Sequence, residues 1–169
     1  MTQTQNESRA ADFFEEKAFE DHVVKIYRCA KVVKGGRRFR FGALVIIGDR
    51  NGRAGIGYGK ANEVPAAVEK GVKNARKNMF SVVRKGSSIP HVAQARYGAS
   101  KVVLVPASEG TGVIAGVHLR PLLELAGIRD VLTKAFGSTN PKNLVQAGMR
   151  ALTSLRSQET IAALRGVKL

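Results

Sequence analysis

The chain has 169 residues, 44% hydrophobic and 24% charged, which is enough for one medium domain or two small ones around a packed core and argues against disorder throughout. Lysine and arginine number 28 against 13 aspartates and glutamates, and a net charge of +15 calls for a polyanionic partner, nucleic acid first and an anionic membrane surface second. The longest uncharged apolar stretch, Ala43 to Ile47, is far too short to cross a bilayer, a lone cysteine excludes an internal disulfide, and three scattered histidines do not make a four-ligand zinc site.

Residues 1–22 form an acidic segment with six acids and two bases. It lacks the basic start and apolar core of a signal peptide, so a cytosolic chain is expected. Residues 23–60 invert the balance, with ten bases and one acid, Asp49, for a net +9; residues 61–105 add +6 and residues 106–169 add +4. The bland reading is a solvated basic face, but +9 over 38 residues repels itself unless something neutralises it.

Val23 to Val33 and Phe39 to Ile47 are β-branched and aromatic with interspersed bases, and Lys34-Gly35-Gly36 between them makes a hairpin. Asn51-Gly52 supplies a second turn into a glycine-studded strand, Arg53 to Lys60, giving three antiparallel strands. Pro65 suits a first helical turn, and Val64, Val68, Val72, Ala75 and Met79 predict one apolar helical face. Short β-like runs follow at Ser81 to Arg84, His91 to Tyr97 and Lys101 to Val105, so a first unit is expected over 23–105. Pro106 to Gly112 is rich in turn formers and marks the boundary to a second unit, 106–157. There Val113 to Ala115 is a short apolar segment, Pro121 to Ala126 a short helix stopped by Gly127, and Asp130 to Phe136 a strand. Gly137 to Pro141 is a turn with a capping residue, opening a helix to about Arg156 whose buried face is Leu144, Gly148, Ala151, Leu152 and Leu155. In the tail, 158–169, one weak helical turn is expected around Glu159 to Leu164.

Gly55-Ile56-Gly57-Tyr58-Gly59-Lys60 is not a phosphate loop, because Ala54 and Ala61 stand where the motif needs a glycine and a hydroxyl. Its alternating glycines instead admit close approach of a backbone or ligand, and with Arg53 and Lys60 flanking them a phosphodiester chain is the favoured occupant over simple packing. Gly110-Thr111-Gly112-Val113-Ile114-Ala115 matches a dinucleotide fingerprint, with Asp130 twenty residues on. Pro106 to Glu109 before it and Pro121 after it spoil the strand-turn-helix context that fingerprint requires. His22, His91 and His118 carry no nucleophile-base-acid pattern, and Cys29 is a small half-buried strand residue. Tyr27, Phe39 and Phe41 are core residues or base-stacking platforms, with core favoured.

Several runs together resemble the bacterial ribosomal protein S-five family of the small subunit: Lys34-Gly35-Gly36-Arg37-Arg38-Phe39-Arg40-Phe41, Gly48 to Arg53, Gly57-Tyr58-Gly59-Lys60-Ala61 with Glu63-Val64-Pro65, Ile89-Pro90-His91, Pro106 to Gly112 and Gly137 to Pro141. They occur in order from about residue 13 to 157, and Val117 to Pro121 is the local departure. The resemblance implies an α+β fold of two lobes: an N-terminal antiparallel sheet with one helix, similar to double-stranded-RNA-binding domains, and a C-terminal βαβα lobe. It implies a structural constituent of the cytoplasmic ribosome, bound to small-subunit ribosomal RNA beside ribosomal proteins four and eight, with messenger RNA a further candidate partner. It also implies a role in subunit assembly and translational accuracy near the path by which messenger RNA enters, and a position near the spectinomycin site for Lys34, Gly35 and Gly36. No catalysis, cofactor, metal or membrane is expected.

With the charge pattern, the resemblance places RNA contacts at Arg28, Lys34, Gly35, Gly36, Arg37, Arg38 and Arg40 on the first hairpin, and at Arg53, Tyr58 and Lys60 on the third strand. Thr111, Ser138 and Asn140 are the contacts expected from the second lobe, the last two beside a helix N-terminus that suits phosphate as well as capping. The runner-up is a free-standing RNA-binding or strand-separating protein of the same fold, and an enzyme using the Gly110 loop comes third.

Overall fold

The computed structural model describes residues 19–166, so most of the acidic segment and the last three residues of the tail lie outside the described residues. Strands β1 (Glu20–Val33) and β2 (Gly36–Gly48) pair antiparallel from Glu20↔Gly48 to Val33↔Gly36, with one irregularity between Val23 and Lys25. The chain reverses at Lys34 and Gly35, and Gly36 takes φ +117°, a conformation that strains any L side chain. Strand β3 (Arg53–Ala61) pairs with β2, and β4 (Met79–Ser81) with β3, in the order β1-β2-β3-β4. The three expected strands are thus joined by a fourth. The turn into β3 is organised by Asp49 rather than by Asn51-Gly52 alone. Its carboxylate accepts from the Asn51 and Arg53 amides at 2.7 and 3.0 Å, while Arg50 adopts φ 56°.

Helix α1 (Val64–Lys77) begins with proline in its first turn, as the sequence predicts, but its deepest stripe is Ala67, Gly71 and Ala75. Val64, Val68 and Val72 are only half-buried. The reason lies on β3. A Cβ on Gly55 would overlap the Ala75 carbonyl oxygen, one on Gly57 the Gly71 carbonyl oxygen and Ala75 nitrogen, and one on Gly59 the Ala67 carbonyl oxygen. The alternating glycines therefore admit a helix backbone and not the phosphodiester chain expected of them. Smooth surfaces of small residues on both partners bring the axes closer than valine would allow, and the valines flank the contact.

With glycines toward α1, strand alternation sends Ala54, Ile56 and Tyr58 to the other face, alongside Leu44 and Ile46 of β2. There they share one core with the second half of the chain, including Val102, Leu104, Leu122 and Leu125. Ala43, Val45 and Ile47 of β2 form a smaller core under α1. The middle of this sheet is covered on both faces.

The second sheet has the order β5-β6-β8-β7, from β5 (Ala93–Tyr97), β6 (Ser100–Pro106), β7 (Val113–Ile114) and β8 (Val131–Gly137). This corrects the expectation that the runs His91 to Tyr97 and Lys101 to Val105 belong to the first unit. Ser100 to Pro106 pair with Gly137 to Val131, and β5 hangs on β6. Residues 107–112 are a loop inside the second unit. Strands β7 and β8 are parallel and are linked through α2 (Arg120–Leu125); α3 (Pro141–Thr153) follows, which is the βαβα order the resemblance implies. Helix α3 ends before the expected Arg156, yet all five residues of its expected buried face are buried, Leu155 just beyond its end. In the tail, α4 (Gln158–Arg165) is a full helix capped by Ser157 and closed by Gly166 at φ 65°. Among the described residues no helix is long and apolar enough to cross a membrane.

If the helix–strand approach sets this architecture, Gly57→Ala lowers unfolding free energy by about 1–3 kcal/mol, read as a lower urea midpoint. Gly35→Ala, whose Cβ would meet nothing within 4 Å, stays within about 0.5 kcal/mol of the parent.

Candidate nucleic-acid interface

Residues paired directly across an antiparallel ladder project to the same face, and neighbours along a strand to opposite faces. The pairs Lys31↔Arg38, Cys29↔Arg40 and Gly42↔Lys60 therefore gather Lys31, Arg38, Arg40 and Lys60 on one face of the projecting hairpin. With Cys29 and Val33 they line a shallow depression of about 350 Å³. No acidic residue occurs between positions 22 and 48. Lys31 and Arg38 thus face each other as like charges, an arrangement that costs the free protein stability.

The opposite face carries Arg28, Arg37 and Phe39. The Arg28 guanidinium lies 3.8 Å from the centroid of the Phe39 ring. Phe39 is 44% exposed, so the core role favoured for it fails, whereas Phe41 packs on the core under α1 and Tyr27 on the main core. Lys34 and Gly35 form the exposed tip. Gly35 is free of steric demand, but Gly36 is required by its positive φ, so the two adjacent glycines serve different ends.

Other expected contacts lie elsewhere. Arg53 sits seven residues from Lys60 along β3, roughly 23 Å in an extended strand, and its guanidinium pairs with Asp49 at 3.3 Å. Tyr58 is half-buried, edge-on to Tyr27 at 6.3 Å and under the Lys142 ammonium at 4.7 Å. It packs the two sheets together, which removes it from the exposed set. Thr111 hydrogen-bonds the Ser108 carbonyl at 2.8 Å within the β6–β7 loop. Asn140 caps α3, its side chain accepting from the Lys142 amide at 3.2 Å, and the Ser138 hydroxyl accepts from the Asn140 amide at 3.3 Å. The Thr111 loop and the Ser138 turn adjoin opposite ends of β8, roughly 20 Å apart. Lys31 was not among the expected contacts. The signal for it was present in the sequence, since period-two alternation from the hairpin turn pairs it with Arg38.

The Gly110–Gly112 loop has its own structural account. Both glycines have positive φ, and Gly112 donates its amide to the buried Asp130 carboxylate at 2.8 Å. A two-residue strand follows the glycines, so no helix N-terminus faces them. The hydrogen bond from Gly112 foremost, then those from the Ser87 side chain and the Gly110 amide, with the Arg129 charge, hold the Asp130 carboxyl below its ordinary value against the opposing effect of burial.

Two packed sheets and a hairpin with cations on both faces are the features of a basic RNA-binding protein. Family comparisons agree: residues 19–83 match the model for the N-terminal domain of ribosomal protein S5, and residues 95–165 the model for its C-terminal domain. The "Small ribosomal subunit protein uS5" of Rhodopirellula baltica is 54% identical over 147 residues, 87% of this chain and 83% of the relative. Its namesake in Rubrobacter xylanophilus is 57% identical over 149 residues, 88% of this chain and 74% of the relative. That of Campylobacter jejuni is 56% identical over 143 residues, 85% of this chain and 97% of the relative. The chain belongs to the ribosomal protein S5 family, structural RNA-binding components of the small ribosomal subunit in the cytoplasm and not enzymes.

A folded-state carboxyl pKa below the unfolded one contributes stability that is present above the unfolded pKa and is lost as pH falls through the folded pKa. Stability therefore drops below about pH 4, and in Asp130→Asn this acid-dependent loss is smaller while stability at pH 7 is lower. Urea titrations at pH 7 and pH 3 check both; parallel losses in the two proteins would remove Asp130 from the acid response.

Proposed function

We propose that the face formed by Lys31, Arg38, Arg40 and Lys60 is the chain's principal contact with small-subunit ribosomal RNA. The observation that carries this is the cross-strand placement of like charges around one depression, on two strands without an acid between positions 22 and 48. A phosphodiester backbone seated there neutralises the cluster and releases condensed counterions, so what is a cost in the free protein becomes binding energy. Rigidity helps: the strands are long and paired without a break from Lys25 to the turn, so the cations are presented without the ordering cost of a flexible loop.

The hairpin tip is the part of this reading closest to decoding. Lys34 and Gly35, with Arg37 beside them, lie near the spectinomycin site and the path by which messenger RNA enters, and influence translational accuracy from there. Ribosomal proteins four and eight are the neighbouring proteins, and the Thr111 loop, Ser138 and Asn140 are secondary RNA contacts that support assembly. Support for these finer roles is the motif resemblance at Lys34 to Phe41 and the exposure of the tip.

Replacing Arg38, Arg40 and Lys60 by alanine lowers the slope of log affinity against log salt by roughly 0.7 to 0.9 per lost phosphate contact, measured on small-subunit particles depleted of this protein. Arg53→Ala leaves the slope unchanged, and an unchanged slope in the triple variant refutes the assignment. At the tip, Gly35→Asp keeps parental thermal stability, because its Cβ meets open space, and alters subunit assembly or the growth response to spectinomycin. A variant that melts normally and leaves both unaltered removes the tip from this role.

A further inference from the structure

We propose that Phe39, with Arg28 stacked on it, is a platform for an unpaired base of the ribosomal RNA, on the face of the hairpin opposite the phosphate-binding cluster; this rests on the hairpin being the RNA contact. Phenylalanine normally withdraws from water, yet this ring is 44% exposed and Val32, diagonal to it on the same face of the ladder, is 74% exposed. The cause is position. Phe41 is the last residue of β2 on this face to pack on the core under α1, and Phe39 lies one pleat beyond, where among the described residues neither core reaches it. The Arg28 guanidinium lies over one face of the ring, 3.8 Å from its centroid, and a base takes the other face.

The chemistry of the surroundings selects the occupant. A protein partner burying this patch in an apolar groove would desolvate the Arg28 and Arg37 guanidinium groups, and neither strand carries an acid here to offset that cost. A base paired within a duplex offers no exposed ring face. An unpaired base satisfies every group at once: its π-face stacks on Phe39, its edge lies against Val32, and the phosphate attached to it meets Arg37, which is cross-strand from Val32. The hairpin then grips RNA from two sides, by charge on one and by stacking on the other.

The chain contains no tryptophan, so Phe39→Trp places a single fluorophore at the platform. Added to small-subunit particles depleted of this protein, the tryptophan variant binds with parental affinity and its emission is quenched by the stacked base. Phe39→Leu keeps apolar volume but has no π-face; its affinity falls roughly 5- to 150-fold, with the salt slope unchanged and the melting of the free protein unchanged. Parental affinity in Phe39→Leu overturns the proposal, as does tryptophan emission that brightens and shifts to the blue, the mark of an apolar protein pocket, or that does not change. Wild-type binding without salt dependence defeats the basic-face reading itself; salt-dependent binding indifferent to Phe39 defeats only this one.

Discussion

The close approach of a helix backbone to a strand backbone is the constraint on which the rest of this protein depends. Gly55, Gly57 and Gly59 on β3 and Ala67, Gly71 and Ala75 on α1 leave no room for a single added methyl at the strand positions. Dispersion contacts between two backbones replace the interlocking of large side chains. Once that face of β3 is committed to α1, alternation obliges Ile56 and Tyr58 to face the second sheet, and the shared core with Leu44 and Ile46 follows. The Asp49 turn extends the junction, since the Arg50 amide donates to the Leu125 carbonyl at 2.9 Å and the Arg84 guanidinium to the Arg50 and Gly127 carbonyls at 3.3 and 3.2 Å.

A consequence is that β1 and β2 outrun their support. The half of β2 from Ala43 to Ile47 is buried on both faces, but from Phe41 toward the tip neither α1 nor the second sheet reaches the ladder. The free chain pays for this hairpin with exposed apolar groups and facing cations. Such a price makes physical sense only when a large anionic partner completes the structure, and folded RNA supplies both phosphates and unstacked bases.

Much of the fold was legible because strands and helices declare themselves through alternation and turn chemistry. The β1–β2 reversal at Lys34 and Gly35, the Pro65 helix start, the Gly127 stop and the Asn140 cap all follow from local residue types. Tertiary partnership was less legible. A glycine lacks Cβ whether it faces a helix or a phosphate, so Gly55 to Gly59 carried no sign of which. Strands β5 and β6 read as strands, yet only long-range pairing with β8 assigns them to the second sheet. Arg53 counts as a base in a basic segment, but strand length carries it away from the depression and Asp49 engages it. Phe39 and Phe41 are equivalent by pattern; α1 ends between them in space, which no local signal records.

The central claim is that RNA covers the Lys31–Lys60 face when the protein is in the ribosome. Lysine acylation read by mass spectrometry tests it with the unaltered chain, by comparing the free protein with intact small subunits. The account predicts that Lys31 and Lys60, together with Lys34 at the tip, react readily in the free protein, where all three are exposed, and are strongly protected in the subunit. Equal labelling of Lys31 and Lys60 in the two states would contradict it.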